Sequence, residues 1–135
     1  MYLKCLLYLI EHKWNVGIEC IKLGLYWHAI THDLSKFLPS EFIPYAKHFN
    51  AGPQRKLFET AWCRHQNRNA HHWDYWVKAD GHAVPMPKKY VKQMIADWNG
   101  MGRKFNDNAS IFYEKNKHKM KLHKETVKCI KETLY

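Results

Sequence analysis

The chain is short of negative charge, of paired cysteines and of long apolar runs, and each shortage removes a class of protein. Twelve Asp and Glu stand against 22 Lys and Arg, for a formal charge of +10, so an anionic partner suits it better than a cationic one. Cys5, Cys20, Cys63 and Cys129 are isolated, with no Cys-x-x-Cys pair, which argues against a zinc ribbon or redox dithiol and predicts reduced core thiols. The apolar opening is cut off by Glu11, His12 and Lys13, well short of the ~20 residues a membrane span needs. The expectation is a cytoplasmic protein with an amphipathic first helix and no membrane contact. Internal repeats, low-complexity segments and alternating strand patterns are also missing, which leaves helices as the building material.

What is present points to a packed domain. An aromatic content of 15%, with six Trp and eight Tyr, is incompatible with the low hydrophobicity of a disordered chain. A length of 135 residues suits one domain spanning 1–135. Leu3, Leu6, Leu7, Ile10, Trp14, Ile18, Ile21 and Leu25 recur at helical spacing and predict a first helix with His12 in its middle, bending at Gly17 or ending near Gly24. A second helix is expected over 26–37, stopped by Pro39, and a third, capped by Ser40, reaching about Phe49. Asn50-Ala51-Gly52-Pro53 reads as a turn, and the next helix starts near Gln54.

Along that helix Phe58, Trp62, His65 and Asn69 fall on one face, joined by His72 and Trp76 if the helix continues. Residues 78–87 have loop composition, and Pro87 suits the first turn of a further helix whose apolar face is Val91, Met94, Ile95 and Trp98. Asp97 lies one residue off that face. Gly100 and Gly102 are expected to end this helix, Asn108 to start another, and a last amphipathic stretch carries Val127, Ile130 and Leu134. The basic charge concentrates late: residues 88–135 hold 12 Lys and Arg against 5 Asp and Glu. The helical segment over about 108–135 therefore reads either as a solvated lysine face or as a field that attracts nucleotide or nucleic acid.

The most informative run is Thr31-His32-Asp33-Leu34-Ser35-Lys36-Phe37, which joins two metal-binding side chains to a cation suited to phosphate. With His12 upstream and Asp97 downstream it supplies a mixed imidazole and carboxylate set, the donor type of Mn, Fe, Co, Ni or Zn rather than Mg or Ca. Neighbouring residues on one helix diverge by about 100°, so Asp33 can reach towards a second ion while His32 holds the first. His65, His71 and His72 can complete that second site, with the helical face favouring His72 over His71. Asn69 and Asp74 beside them suit the orienting of imidazole rings or contact with substrate. His28 reads as a core-edge histidine, and His48, His82, His118 and His123 as surface residues. Trp62, Trp73, Tyr75, Trp76 and Trp98 are read mainly as core, though aromatic faces also stack on nucleobases.

His12, then His32-Asp33, then Asp97 resembles the ligand order of the HD-domain superfamily of metal-dependent phosphohydrolases. Two-metal members of that superfamily also place histidines where His65, His71 and His72 fall here. The resemblance implies an all-α, compact HD-like bundle of about five to seven helices holding one or two divalent transition-metal ions. It also implies hydrolysis of a small phosphate ester, a nucleotide among the candidates, with Asp33 and Lys36 in catalytic roles and Lys36 on the substrate phosphate. Some HD-domain proteins resemble this ligand set yet use two irons to activate oxygen, so a diiron oxygenase is the nearest alternative. A basic nucleic-acid-binding or interaction module with a structural metal is the third. Residues 31–42 and 61–76, with Met86-Pro87 and Asp97-Trp98, also resemble a group of short uncharacterised phage and bacterial proteins.

Overall fold

A computed structural model describes residues 2–50 and 55–135; the expected turn at 50–53 and the helix start at Gln54 lie largely outside them. The described residues contain seven α-helices: α1 (Tyr2–Lys22), α2 (Tyr26–Thr31), α3 (Pro39–Asn50), α4 (Arg55–Arg68), α5 (Lys88–Phe105), α6 (Ala109–Asn116) and α7 (Lys124–Leu134). The architecture is an all-α bundle. Its sole extended pairing among the described residues is an isolated antiparallel bridge, Val77 with Ala83, closing the loop before α5. None of the described helices is long and apolar enough to cross a membrane.

The inner face of α1 differs from the one its apolar spacing predicts. Cys5, Leu9, His12, Val16 and Cys20 point inward, whereas Leu3, Leu7, Ile10, Trp14 and Ile21 are all more than half exposed. Apolar residues surround this helix, so periodicity cannot choose a side; the choice is made by its packing on α5. At Gly100 a Cβ would lie 2.4 Å from Val16 Cγ2 and 2.8 Å from Val16 Cα, so only glycine lets the two backbones come this close. Gly100 is thus a helix-crossing point inside α5 and not its end. The helix stops six residues later at Asn106, whose left-handed backbone (φ 54°) places Asp107 N on Gly102 O at 2.9 Å.

Other boundaries shift by small amounts with clear causes. Pro39 opens α3, so Ser40 lies within its first turn and accepts from Arg68 Nη1 at 3.1 Å instead of capping. Pro87 is the N-cap of α5, one residue ahead of the first turn. Asn108 caps α6 as expected, its side chain accepting from Ile111 N at 3.0 Å. The core beneath α5, α6 and α7 is Met86, Val91, Met94, Ile95, Trp98, Ala109, Tyr113 and Ile130, with Trp73 and Trp76 packed against it. Cys5 and Cys20 are buried, but Cys63 is exposed and Cys129 only partly covered, so the cysteines are not uniformly core thiols.

Candidate metal centre

α1 and α5 bring the first two site residues together. Gly100 sits one turn beyond Asp97, and Val16 one turn beyond His12, so the close crossing sets His12 Nε2 3.2 Å from Asp97 Oδ1. The His32-Asp33 pair arrives from a chain break. α2 ends at Thr31, His32 is its C-cap, Asp33 adopts left-handed backbone (φ 55°), and a 3-10 turn follows over Leu34–Phe37. Asp tolerates this conformation better than most residues, and the break takes the place of the continuous helix expected over 26–37. Lys13 of α1 fixes the break by donating to Ile30 O at 2.5 Å and His32 O at 3.0 Å.

Around Asp33 the donors divide by carboxylate oxygen. Oδ2 lies 3.3 Å from His12 Nε2 and 3.2 Å from His32 Nε2. Oδ1 lies 3.2 Å from both His65 Nε2 and His71 Nε2. Two groups of possible ligands result: His12, His32, Asp33 and Asp97 on one side, and Asp33, His65, His71 and His72 on the other, each with donor atoms within 4.8 Å of one another. His12, His32, Asp33, His65 and His71 are at most 5% exposed.

Yet both Asp33 oxygens, Asp97 Oδ1 and the Nε2 atoms of His65, His71 and His72 lack a well-directed hydrogen bond among the described residues. Buried polar atoms are seldom left so. His12 Nε2 and His32 Nε2 even face each other at 3.3 Å. Donor atoms aimed at a common point, close but badly angled for one another, fit a cation between them, and these His and Asp groups can hold a metal ion.

Charge is balanced around the carboxylates. Burial alone would raise the pKa of Asp33, but His32, Lys36 and His12 outweigh it and hold the acid well below its usual range. Asp97 is likewise held down by His12 and His32 against burial. Burial lowers His71, and more strongly His72, keeping both rings neutral and ligand-competent. Lys36 Nζ stands 2.5 Å from Asp33 Oδ2.

The inner histidines reach the site by a different route from the one helical spacing suggests. α4 ends at Arg68, and a turn over 69–72 swings both His71 and His72 towards Asp33, so His71 makes the close approach while His72 remains within ligand reach. Asn69 does sit beside an imidazole, with Nδ2 3.2 Å from His65 Nδ1 and 3.0 Å from Ser35 Oγ. Asp74 does not: its carboxylate accepts from Gln66 Nε2 at 2.9 Å.

His28 is closer to the site than a core-edge residue, its Nε2 3.1 Å from His32 Nδ1, and burial beside His32 and His71 pushes its pKa down to about 3. His48 is not a surface residue, since its ring stacks on Phe58 at 4.1 Å. His123 caps α7 by accepting from Glu125 N, whereas His82 and His118 are exposed.

Besides Lys13, Glu41 escaped the sequence reading altogether. Glu41, 0% exposed, faces His65 Nδ1 at 3.0 Å and accepts from Ser35 Oγ at 3.1 Å and Arg68 Nη1 at 2.8 Å. A carboxylate taking Nδ1–H leaves Nε2 as the free donor to an ion. The signal that was available is a buried-helix Glu eight residues after the His-Asp pair, which is not distinctive.

The profile of DUF5662, a family of unknown function, matches residues 1–135, and the chain belongs to that family. No curated protein and no solved structure matches it.

Proposed function

We propose that this DUF5662 chain is a metal-dependent phosphohydrolase in which two divalent ions share Asp33. The observation that carries the reading is the split carboxylate, with Oδ2 turned to His12 and His32 and ion-paired with Lys36, Oδ1 turned to His65 and His71, and neither oxygen in a well-directed hydrogen bond among the described residues. His12, His32, Asp33 and Asp97 would hold one ion, and Asp33, His65, His71 and His72 the other. The donor set suits Mn, Fe, Co, Ni or Zn. An ion bound there supplies Lewis acidity and lowers the pKa of water towards neutrality.

The chain's own groups do the positioning. Glu41 on His65 Nδ1, and His28 on His32 Nδ1, turn each Nε2 inward towards the ion it would hold. Lys36 sets a positive charge at the same edge, where it offsets the charge of the phosphoryl oxygens. In the overall reaction the water oxygen bonds to phosphorus, the ester P–O bond breaks, and the departing alkoxide takes up the proton. Assay of the purified protein with Mn, Co or Ni against a phosphoester panel tests this. Metal-dependent turnover abolished by Asp33→Ala is expected, and turnover indifferent to that change contradicts it.

A second reading rests on the completeness of the His65, His71 and His72 group, which suits a diiron oxygenase. Oxygen uptake by iron-loaded protein, without phosphoester turnover under any metal, would favour it.

A further inference from the structure

Beside the cluster lies an open cleft of about 430 Å3, whose lining includes His12, Lys36, His72 and Asp97. That volume is in the range of sites for small organic ligands. Its remaining walls are mostly aromatic: Phe58, Trp62, Trp73, Trp98, Phe105 and Phe112 all contribute. Positive charge is scarce there. Among the described residues that line it Lys36 is the one lysine and none is an arginine, and Asp74 and Asp107 lie among the others. Tyr45, 4% exposed, also lines the cleft, and its hydroxyl has no hydrogen-bond partner among the described residues.

We propose that this cleft selects a single phosphate group esterified to a flat, apolar organic group, with the phosphate at Lys36 and Tyr45 and the organic group between the aromatic walls. The proposal rests on the phosphohydrolase reading and narrows it to monoesters. Lys36 and the Tyr45 hydroxyl offer donors enough for one phosphate beside the ions. A di- or triphosphate would put further negative charge against aromatic walls and Asp74 with no cation among the described lining residues beyond Lys36 to meet it, a desolvation that costs far more than stacking returns. A small polar ester would leave the walls unfilled. Asp74, with Gln66 donating to one oxygen, has acceptor capacity left for a donor on the organic group.

Calorimetric titration of manganese-loaded protein with 1-naphthylphosphonate and with methylphosphonate reads the cleft without requiring turnover. The naphthyl compound is expected to bind on the order of 30-fold tighter. Phe105 is 61% exposed at the rim, so Phe105→Ala should fold normally and reduce the preference by about threefold or more. Met101→Trp, which fills the cleft, should reduce it further. Equal affinities, or a preference unchanged in both variants, overturns the proposal.

In parallel, turnover of 1-naphthyl phosphate, glycerol phosphate and a nucleoside triphosphate is compared. Naphthyl phosphate ranking first supports the proposal, and the triphosphate or glycerol phosphate ranking first overturns it. If none is turned over while the naphthyl preference in binding holds, the ligand class stands and the hydrolytic reading falls.

Discussion

The layer formed by α1, α2, α3 and α4 buries a polar cluster beside its apolar residues, whereas the layer formed by α5, α6 and α7 buries an almost wholly apolar core. In the second, Met94, Ile95, Tyr113 and Ile130 are at most 3% exposed in an ordinary apolar core. In the first, the most buried groups include His12, His32, Asp33, Glu41 and His65, which burial penalises unless something satisfies them. α5 belongs to both, since Asp97 faces the histidines while its neighbour Trp98 packs on Phe112 and Tyr113. Stability should therefore reside mainly in the apolar layer and function in the polar one.

The largest expected effect that would sharpen this contrast is at Asp33. Asp33→Ala removes a donor from both groups and should cut turnover by about a thousandfold or more, with metal content falling in the same preparation; retention of both ions would break the contrast. Its counterpart is Ile130→Ala, fully buried in the apolar layer. This change should cost about 2–5 kcal/mol in denaturant unfolding while metal content per folded chain is unchanged. Glu41→Gln comes next: with the Nδ1 partner of His65 weakened, ion affinity should fall by about 10–100-fold, read by competition with a chelator.

The smallest effect is a pH dependence. Burial lowers the pKa of His32, but the Asp33 and Asp97 carboxylates outweigh it and raise the ring to about 9 in the ion-free chain. A raised pKa stabilises that chain fully below the unfolded value of about 6.5 and progressively loses its contribution as pH rises through about 9. An ion needs the neutral ring, so uptake near pH 7 releases this proton. Affinity should tighten by up to about tenfold per pH unit per proton displaced, levelling above about 9. Metal titrations at three pH values check the slope, and a flat profile would count against His32 as a donor.

The all-helical class, the loop over 78–87 and the cap at Asn108 were legible because each follows from local chemistry: periodicity, proline and glycine punctuation, and a side chain that caps its own helix. The gathering of His12, His32, Asp33 and Asp97 was legible from residue type and order. The inner face of α1 was not, because apolar residues ring that helix and only the Gly100 crossing selects Val16 and His12. Glu41 and Lys13 were missed for a related reason. Each acts through partners elsewhere in the chain, which spacing along one helix does not encode. His72 was favoured over His71 by assuming a continuous helix, and the turn after Arg68 admits both.

Anomalous diffraction from crystals grown with manganese tests the shared carboxylate most directly. Two peaks are expected, one on each side of Asp33, the first among His12, His32 and Asp97 and the second among His65, His71 and His72. A map with no peak beside Asp33, at full metal occupancy elsewhere or none at all, would contradict the account.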